Sequence, residues 1–302
     1  MSAITPLFLL SGPTASRKTD LAHLLAERMN VRLLSVDSMM VYKGMTIGTA
    51  KPTANEIKKF HYAGLNLAEP GIDFSTGKWL RCISAQLDDR PALAVGGTGL
   101  YFRALIDGLP PETPTKSSME PLSVKALQTR IHALDPTALS QLADPENPRR
   151  LERALEWLEA GKPLPTSWKE RAGFPIPVLR WPVDDLNERI YQRASEMFNR
   201  GLIEETRQLL EKGSLVGTAA QAIGYKEARE VLEERWSQQE ALEKLTTRTR
   251  RYAKRQRTWF RNQMNARWID IKKESNPEFI ADNIAKVWQE TGPYSFDRTP
   301  YV

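Results

Sequence analysis

The strongest constraint on this chain lies in its first thirty residues, where an apolar run, PLFLLSG, passes into GPTASRKT and then into TDLAHLLAERM. The first run is short, apolar and without helical period, as a strand buried on both faces is. In the third stretch Leu21, Leu24, Leu25 and Met29 recur at helical spacing. A strand, a tight loop and an amphipathic helix in that order predict an α/β fold on a parallel sheet. The loop is Gly12, Pro13, Thr14, Ala15, Ser16, Arg17, Lys18 and Thr19. Its letters follow the phosphate-binding pattern G-x-x-x-x-G-K-[ST] except at Arg17, where the pattern has glycine.

Such a loop works because successive backbone N–H groups converge at a helix N-terminus, whose partial positive charge favours an anion. Lys18 would reach the bridging oxygens of a di- or triphosphate, and the Thr19 hydroxyl would ligate Mg²⁺. The competing reading is a Ser/Thr-rich turn between strand and helix with an ordinary cap. A side chain in place of the glycine crowds the phosphate path, so the expectation is a working but weakened site.

Two further apolar runs, RLLSVDS (32–38) and PALAVGGTG (91–99), also end in polar turns, and VLRWPVD (178–184) and RWIDI (267–271) are weaker strand candidates. Ligands of open parallel sheets sit outside the carboxyl ends of the strands. Asp37, at such an end, can accept a proton, or can equally serve as a cap or turn residue. The glycines of GGTGLY let backbone approach a ligand that the Thr98 hydroxyl could bond, or simply make a tight turn.

The formal net charge of +6 is concentrated in one place. Residues 248–267 hold eight Lys/Arg and no acid, and without them the chain is slightly acidic. Within a long helix expected over 238–263, Arg250, Lys254, Arg257 and Arg261 follow i, i+4, i+7, i+11 and share one face, interleaved with Tyr252, Trp259 and Phe260. A charge run can be no more than a solvated face; cations with no intrahelical partner favour a polyanion such as nucleic acid.

Nothing in the chain approaches the roughly 18 apolar residues of a membrane span, and Leu7–Leu10 lacks the flanks of a signal peptide, so a cytoplasmic protein is expected. A single cysteine, Cys82, gives no disulfide framework, and His23, His61 and His132 have no metal-ligand spacing. The expected organisation is a first part of the core over 1–112, a Pro-rich helical insertion over 113–177, the rest of the core with the basic helices over 178–287, and a flexible tail over 288–302. One amphipathic stretch is expected over 186–213, and Pro148 and Gly161 mark the start and stop of an insertion helix.

The stretches SGPTASRKT, SVDSMMVYKGMTIGTAKP, VGGTGLYFRALIDGLP, NPRRLERALE, GLIEETRQLL, QAIGYKE and TRRYAKRQRTWFR occur in that order over most of residues 6–270. Together they resemble the tRNA dimethylallyltransferases (tRNA isopentenyltransferases). The resemblance implies a phosphate-loop NTPase-type parallel sheet flanked by helices, with a small helical insertion domain and a helical C-terminal part. It implies transfer of a dimethylallyl group from dimethylallyl diphosphate to N6 of the adenosine 3′ of the anticodon, with Mg²⁺ as cofactor. By the same resemblance Gly12 to Thr19 and Lys226 hold the diphosphate, Thr19 holds the metal, and Asp37, Lys18 and Thr98 are catalytic, Asp37 being the base for the adenine amine. Asp37, Ser38, Met39, Met40, Thr98, Arg149, Arg150, Leu151, Glu152 and Arg153 would meet tRNA, alongside the helix cations.

The implied partners are the tRNA anticodon stem-loop and dimethylallyl diphosphate, with no membrane and a monomeric enzyme. This chain differs from the family pattern at Arg17, at HYAGL (61–65), where a more histidine-rich motif is usual, and in a shorter insertion. Rival readings are a nucleoside or nucleotide kinase on the same loop and an RNA-binding relative whose catalysis is lost through Arg17.

Overall fold

The computed structural model describes residues 3–109, 122–142, 144–164, 168 and 170–301. The chain divides into two compact units, Met1–Gly108 with Arg171–Val302, and Leu109–Glu170.

The larger unit begins with β1 (Ile4–Ser11), α1 (Lys18–Met29), β2 (Arg32–Val36), α2 (Ala54–Lys59), α3 (Thr76–Gln86), β3 (Ala92–Gly96) and α4 (Gly99–Asp107). The smaller unit contains α5 (Val124–Leu134), α6 (Ala138–Gln141) and α7 (Pro148–Glu159). The larger unit resumes with β4 (Ala172–Arg180), α8 (Val183–Asn199), α9 (Leu202–Glu211), α10 (Gly217–Ala220), α11 (Tyr225–Leu232), α12 (Gln238–Gln263), β5 (Met264–Asp270), α13 (Pro277–Thr291) and β6 (Tyr294–Asp297).

The expected α/β sheet is present, with strand order β2-β3-β1-β4-β5 and parallel pairing throughout that path. Its strands read as apolar runs because helices cover them: Leu10, Leu33, Leu93 and Leu179 share one core with Leu21 and Leu25 of α1 and with Ile280, Ile284 and Trp288 of α13. Each such buried aliphatic side chain contributes about 1.5–3 kcal/mol. Register then sets the site. Ser11 pairs with Gly96, and Gly96 with Val36, so the loops after β1, β2 and β3 leave the sheet at one level. Gly96 is required there, since an added Cβ would collide with the Val36 carbonyl.

Three expectations need correction. The tail from 288 is structured: residues 288–291 complete α13, the buried Trp288 donates from Nε1 to the Leu9 carbonyl at 3.0 Å, and β6 pairs antiparallel with β1 from Ile4–Asp297 to Leu7–Tyr294. The pairing is possible because β1 meets β4 only at Ser11–Val178, leaving its first half an open edge. The alternation of Tyr294 and the buried Phe296 with Ser295 and Asp297 was its sequence signal, hidden between Gly292 and Pro300.

The insertion ends at Glu170, and residues 172–177 belong to β4. Pro175 and Pro177, at alternate positions, lack their N–H groups on the same edge of the strand, which lets two prolines sit in it. The expected start of the insertion, at 113, lies outside the described residues. The helical stretch 186–213 is two helices, broken where Gly201 takes φ 96°.

Within the smaller unit, Leu127 and Ile131 of α5 pack with Ala138 and with Leu151, Ala154 and Leu155 of α7. As the sequence suggests, Pro148 opens α7, the Asn147 side chain accepts from Arg150 N, and Gly161 follows its end at φ 68°.

Candidate active site

The loop after β1 holds two non-glycine residues in the left-handed region, Ala15 at φ 62° and Arg17 at φ 65°. Such residues cost of order 1–3 kcal/mol each and persist where surrounding structure over-determines them. Here it does. Trp181 Nε1 donates to Ser16 O at 3.1 Å, and Arg189 Nε donates to Ala15 O at 2.9 Å while its guanidinium stacks 4.8 Å above the Trp181 ring. Thr14 N donates to Gln256 Oε1 at 2.9 Å from the other side. Gly12 must be glycine, because a Cβ there would lie 2.7 Å from Ser16 Oγ and 3.0 Å from Leu179 Cβ. Ser16 Oγ itself is buried with no hydrogen-bond partner among the described residues. The Arg17 side chain turns outward, to Asp20 at 3.5 Å.

Beside this loop opens a cavity of about 570 Å³. One wall is Thr14, Lys18, Thr19 and the segment Asp37 to Met40; α8 contributes Ile190, Arg193, Ala194 and Met197; α12 contributes Leu245, Arg248, Thr249, Arg251, Tyr252, Arg255 and Gln256. Lys18 Nζ donates to Pro13 O at 3.3 Å. Burial, and then the neighbouring Arg193, hold its ammonium down at about 8, with Asp37 opposing. Burial also lowers Arg193, against the pull of Asp37 and of Asp20. Two cations and one carboxylate thus share a desolvated wall, an arrangement that favours a polyanion.

Asp37 takes the turn role that the sequence allowed it. Its Oδ1 accepts from Met39 N at 2.8 Å and Met40 N at 3.3 Å, which makes the turn, and the carboxylate still lines the cavity. Thr98 is not in the wall. Its Oγ1 accepts from Ser38 N at 3.1 Å, so it holds the Asp37 turn from behind.

A second loop is clamped by a carboxylate. Glu205 of α9 accepts from Thr46 N at 3.1 Å, from Ile47 N at 2.9 Å and from Gly48 N at 3.4 Å. Gly48 and Thr49, which follow, line the cavity. Lys51, buried, donates to Tyr42 O at 2.6 Å and Asn66 Oδ1 at 2.7 Å, and burial lowers it to about 8.

The remaining expected residues fare unevenly. Lys226 is exposed on α11, away from the cavity and near Glu230, because α11 turns Tyr225 and Glu227 inward; it is not placed to hold a diphosphate. Arg250, Lys254 and Arg261 are exposed and Arg257 half-buried, and none of the four lines the cavity. The stripe is real but is the outer face of α12. In the smaller unit Arg149, Arg150, Glu152 and Arg153 are exposed, whereas Leu151 is buried in its core and cannot meet RNA. Sequence reasoning missed Arg193, Arg251, Arg255, Gln256 and Glu205. Their motifs were visible, but spacing alone does not say which face of a helix turns inward.

The sequence model described as IPP transferase matches residues 40–263. A tRNA dimethylallyltransferase of Parasynechococcus marenigrum (strain WH8102) is 40% identical over 283 residues, covering 89% of this chain and 94% of the relative. One of Geobacillus kaustophilus (strain HTA426) is 37% identical, covering 87% and 90%. Among solved structures, the tRNA delta(2)-isopentenylpyrophosphate transferase of Staphylococcus epidermidis aligns with a TM-score of 0.65 at 30% identity, covering 94% of this chain and 98% of the other.

Proposed function

This chain belongs to the IPP transferase family, and from that premise we propose that it transfers a dimethylallyl group from dimethylallyl diphosphate to N6 of the adenosine 3′ of the anticodon in tRNA. The observation that carries the reading is that Lys18, Thr19, Arg193 and Asp37 line one cavity, whose α12 wall bears Arg251 and Arg255.

An exocyclic adenine amine is a weak nucleophile, so the allylic carbon must be made electrophilic as its C–O bond breaks. Lys18 and Arg193 face the charge that collects on the departing diphosphate, in a desolvated setting where such charges act strongly. As the N6–C1 bond forms, Asp37 accepts the N6 proton and later releases it to solvent. The Thr19 hydroxyl is a hard oxygen donor on the cavity wall and fits Mg²⁺, which is usually held by few protein oxygens together with substrate phosphates. When bound, the ion would neutralise charge on the diphosphate. The adenine must leave the anticodon-loop stack at about a few kcal/mol. The cations of α12, with Arg149, Arg150 and Arg153 of the smaller unit, would meet phosphates of the RNA.

The test is incubation with labelled dimethylallyl diphosphate, Mg²⁺ and unmodified tRNA. Label in adenosine supports the reading. Binding of tRNA without label would make the chain a non-catalytic relative, and release of ADP from ATP would make it a kinase.

A further inference from the structure

Along α12 the side chains that turn inward are Ala241, Leu242, Leu245, Thr246, Ala253, Gln256 and Phe260. Gln256 is the one long polar side chain among them, only 6% exposed. A carboxamide out of water costs free energy unless both its ends are paired. Both are. Oε1 accepts from Thr14 N at 2.9 Å, and Nε2 donates to Gly97 O at 2.9 Å. Its orientation is fixed by these partners, since a backbone N–H can only donate and a carbonyl only accept.

We propose that Gln256 is a positioning residue for the diphosphate: by bridging Thr14 of the loop after β1 to Gly97 of the loop after β3, it holds the phosphate loop in its binding shape. The proposal rests on the diphosphate reading of the cavity above, but not on transfer to RNA.

Two observations extend the bridge. Thr98, next to Gly97 in the loop after β3, accepts from Ser38 N at 3.1 Å in the loop after β2, so the Gln256 bond to Gly97 also reaches that loop. The three loops at the carboxyl end of the sheet are therefore tied to one helix. Gly97 has no room for a side chain, because a Cβ would collide with Nε2 of Gln256 and lie 3.3 Å from Gly12 O. The left-handed residues Ala15 and Arg17 follow directly on Thr14, so the bond to Gln256 fixes the end of the strained segment that Trp181 and Arg189 do not reach. Glutamine suits this place because it presents a donor and an acceptor at full reach. Glutamate, ionised, lacks the donor; methionine lacks both.

The experiment measures binding of inorganic diphosphate, with Mg²⁺, by calorimetry to the wild type, Gln256→Met and Gln256→Glu. Both variants are expected to unfold cooperatively and to bind diphosphate at least tenfold more weakly. In the transfer assay KM for dimethylallyl diphosphate should rise similarly, with KM for tRNA within threefold. Q256E, closest in shape, carries the test if Q256M fails to fold. Diphosphate affinity within twofold of wild type in a folded variant would overturn the proposal and leave Gln256 a packing residue. Diphosphate binding by the wild type without any transfer would remove the proposed activity while leaving this inference standing.

Discussion

The Tyr225 hydroxyl donates to Glu205 Oε1 at 2.5 Å, joining α11 to α9 behind the loop that carries Gly48 into the cavity wall. The Glu205 carboxylate serves three backbone N–H groups of that loop as well, and the Tyr225 ring leaves no space for a Cβ on Gly48. Glu205→Ala strands those donors, so it should lower the unfolding free energy by about 1–3 kcal/mol, read by urea titration. Glu205→Gln, which keeps an acceptor, should cost less. Equal stability of Glu205→Ala and wild type would mean that water replaces the carboxylate at no cost.

Asp37→Asn keeps the Oδ1 that holds Met39 and Met40 and removes the proposed base. Transfer is expected to fall by roughly 10² to 10⁴-fold, with tRNA affinity unchanged. Near wild-type rates would reassign the proton to another acceptor.

Lys18 should impose a pH dependence on diphosphate binding. In the free protein burial and Arg193 hold it at about 8, below its ordinary 10.5. Between those two values the unfolded chain binds the proton that the folded chain has lost, so this group's contribution to stability rises with pH over that window. A bound diphosphate acts in the opposite sense, favouring the ammonium. The affinity advantage of wild type over Lys18→Met should be constant below pH 8 and decline above it, by up to about tenfold per pH unit. A constant advantage up to pH 9.5 would leave the charge to Arg193.

The basic helix has two faces to separate. Lys254→Ala with Arg257→Ala, on the outer face, should lower the slope of log K for tRNA against log salt by about 0.7 to 0.9 for each phosphate that is no longer neutralised. Arg251→Ala with Arg255→Ala, on the cavity face, should reduce transfer as well. An unchanged slope in the first pair would make that stripe a solvated surface.

Arg17→Gly should stabilise the loop. Arg17 sits at φ 65°, a region costing a non-glycine residue roughly 1–3 kcal/mol, and its contact with Asp20 is exposed and worth little. Diphosphate affinity should rise by up to about tenfold, equivalent to about 1.4 kcal/mol. A weaker diphosphate affinity on this substitution would make the guanidinium a ligand in its own right.

What the sequence determined by itself was whatever depends on near neighbours in the chain: the strand, loop and helix at the N-terminus, the fold class, the turn at Asp37, and the cap and stop of α7. These follow from apolar period and from the backbone demands of a few residues, which operate over one or two turns. Tertiary structure decided which side chains meet. Gln256 reaches Thr14 across 242 positions and Tyr294 to Asp297 close an edge of β1, pairings that no local pattern encodes. The orientation of α12 was decided the same way: its cations were countable in the sequence, but packing of Ala253, Gln256 and Phe260 set Arg251 and Arg255 toward the cavity and Arg250, Lys254 and Arg261 away from it. Lys226 was misplaced for the same reason, because burial of Tyr225 and Glu227 rotated α11 and left its lysine in solvent.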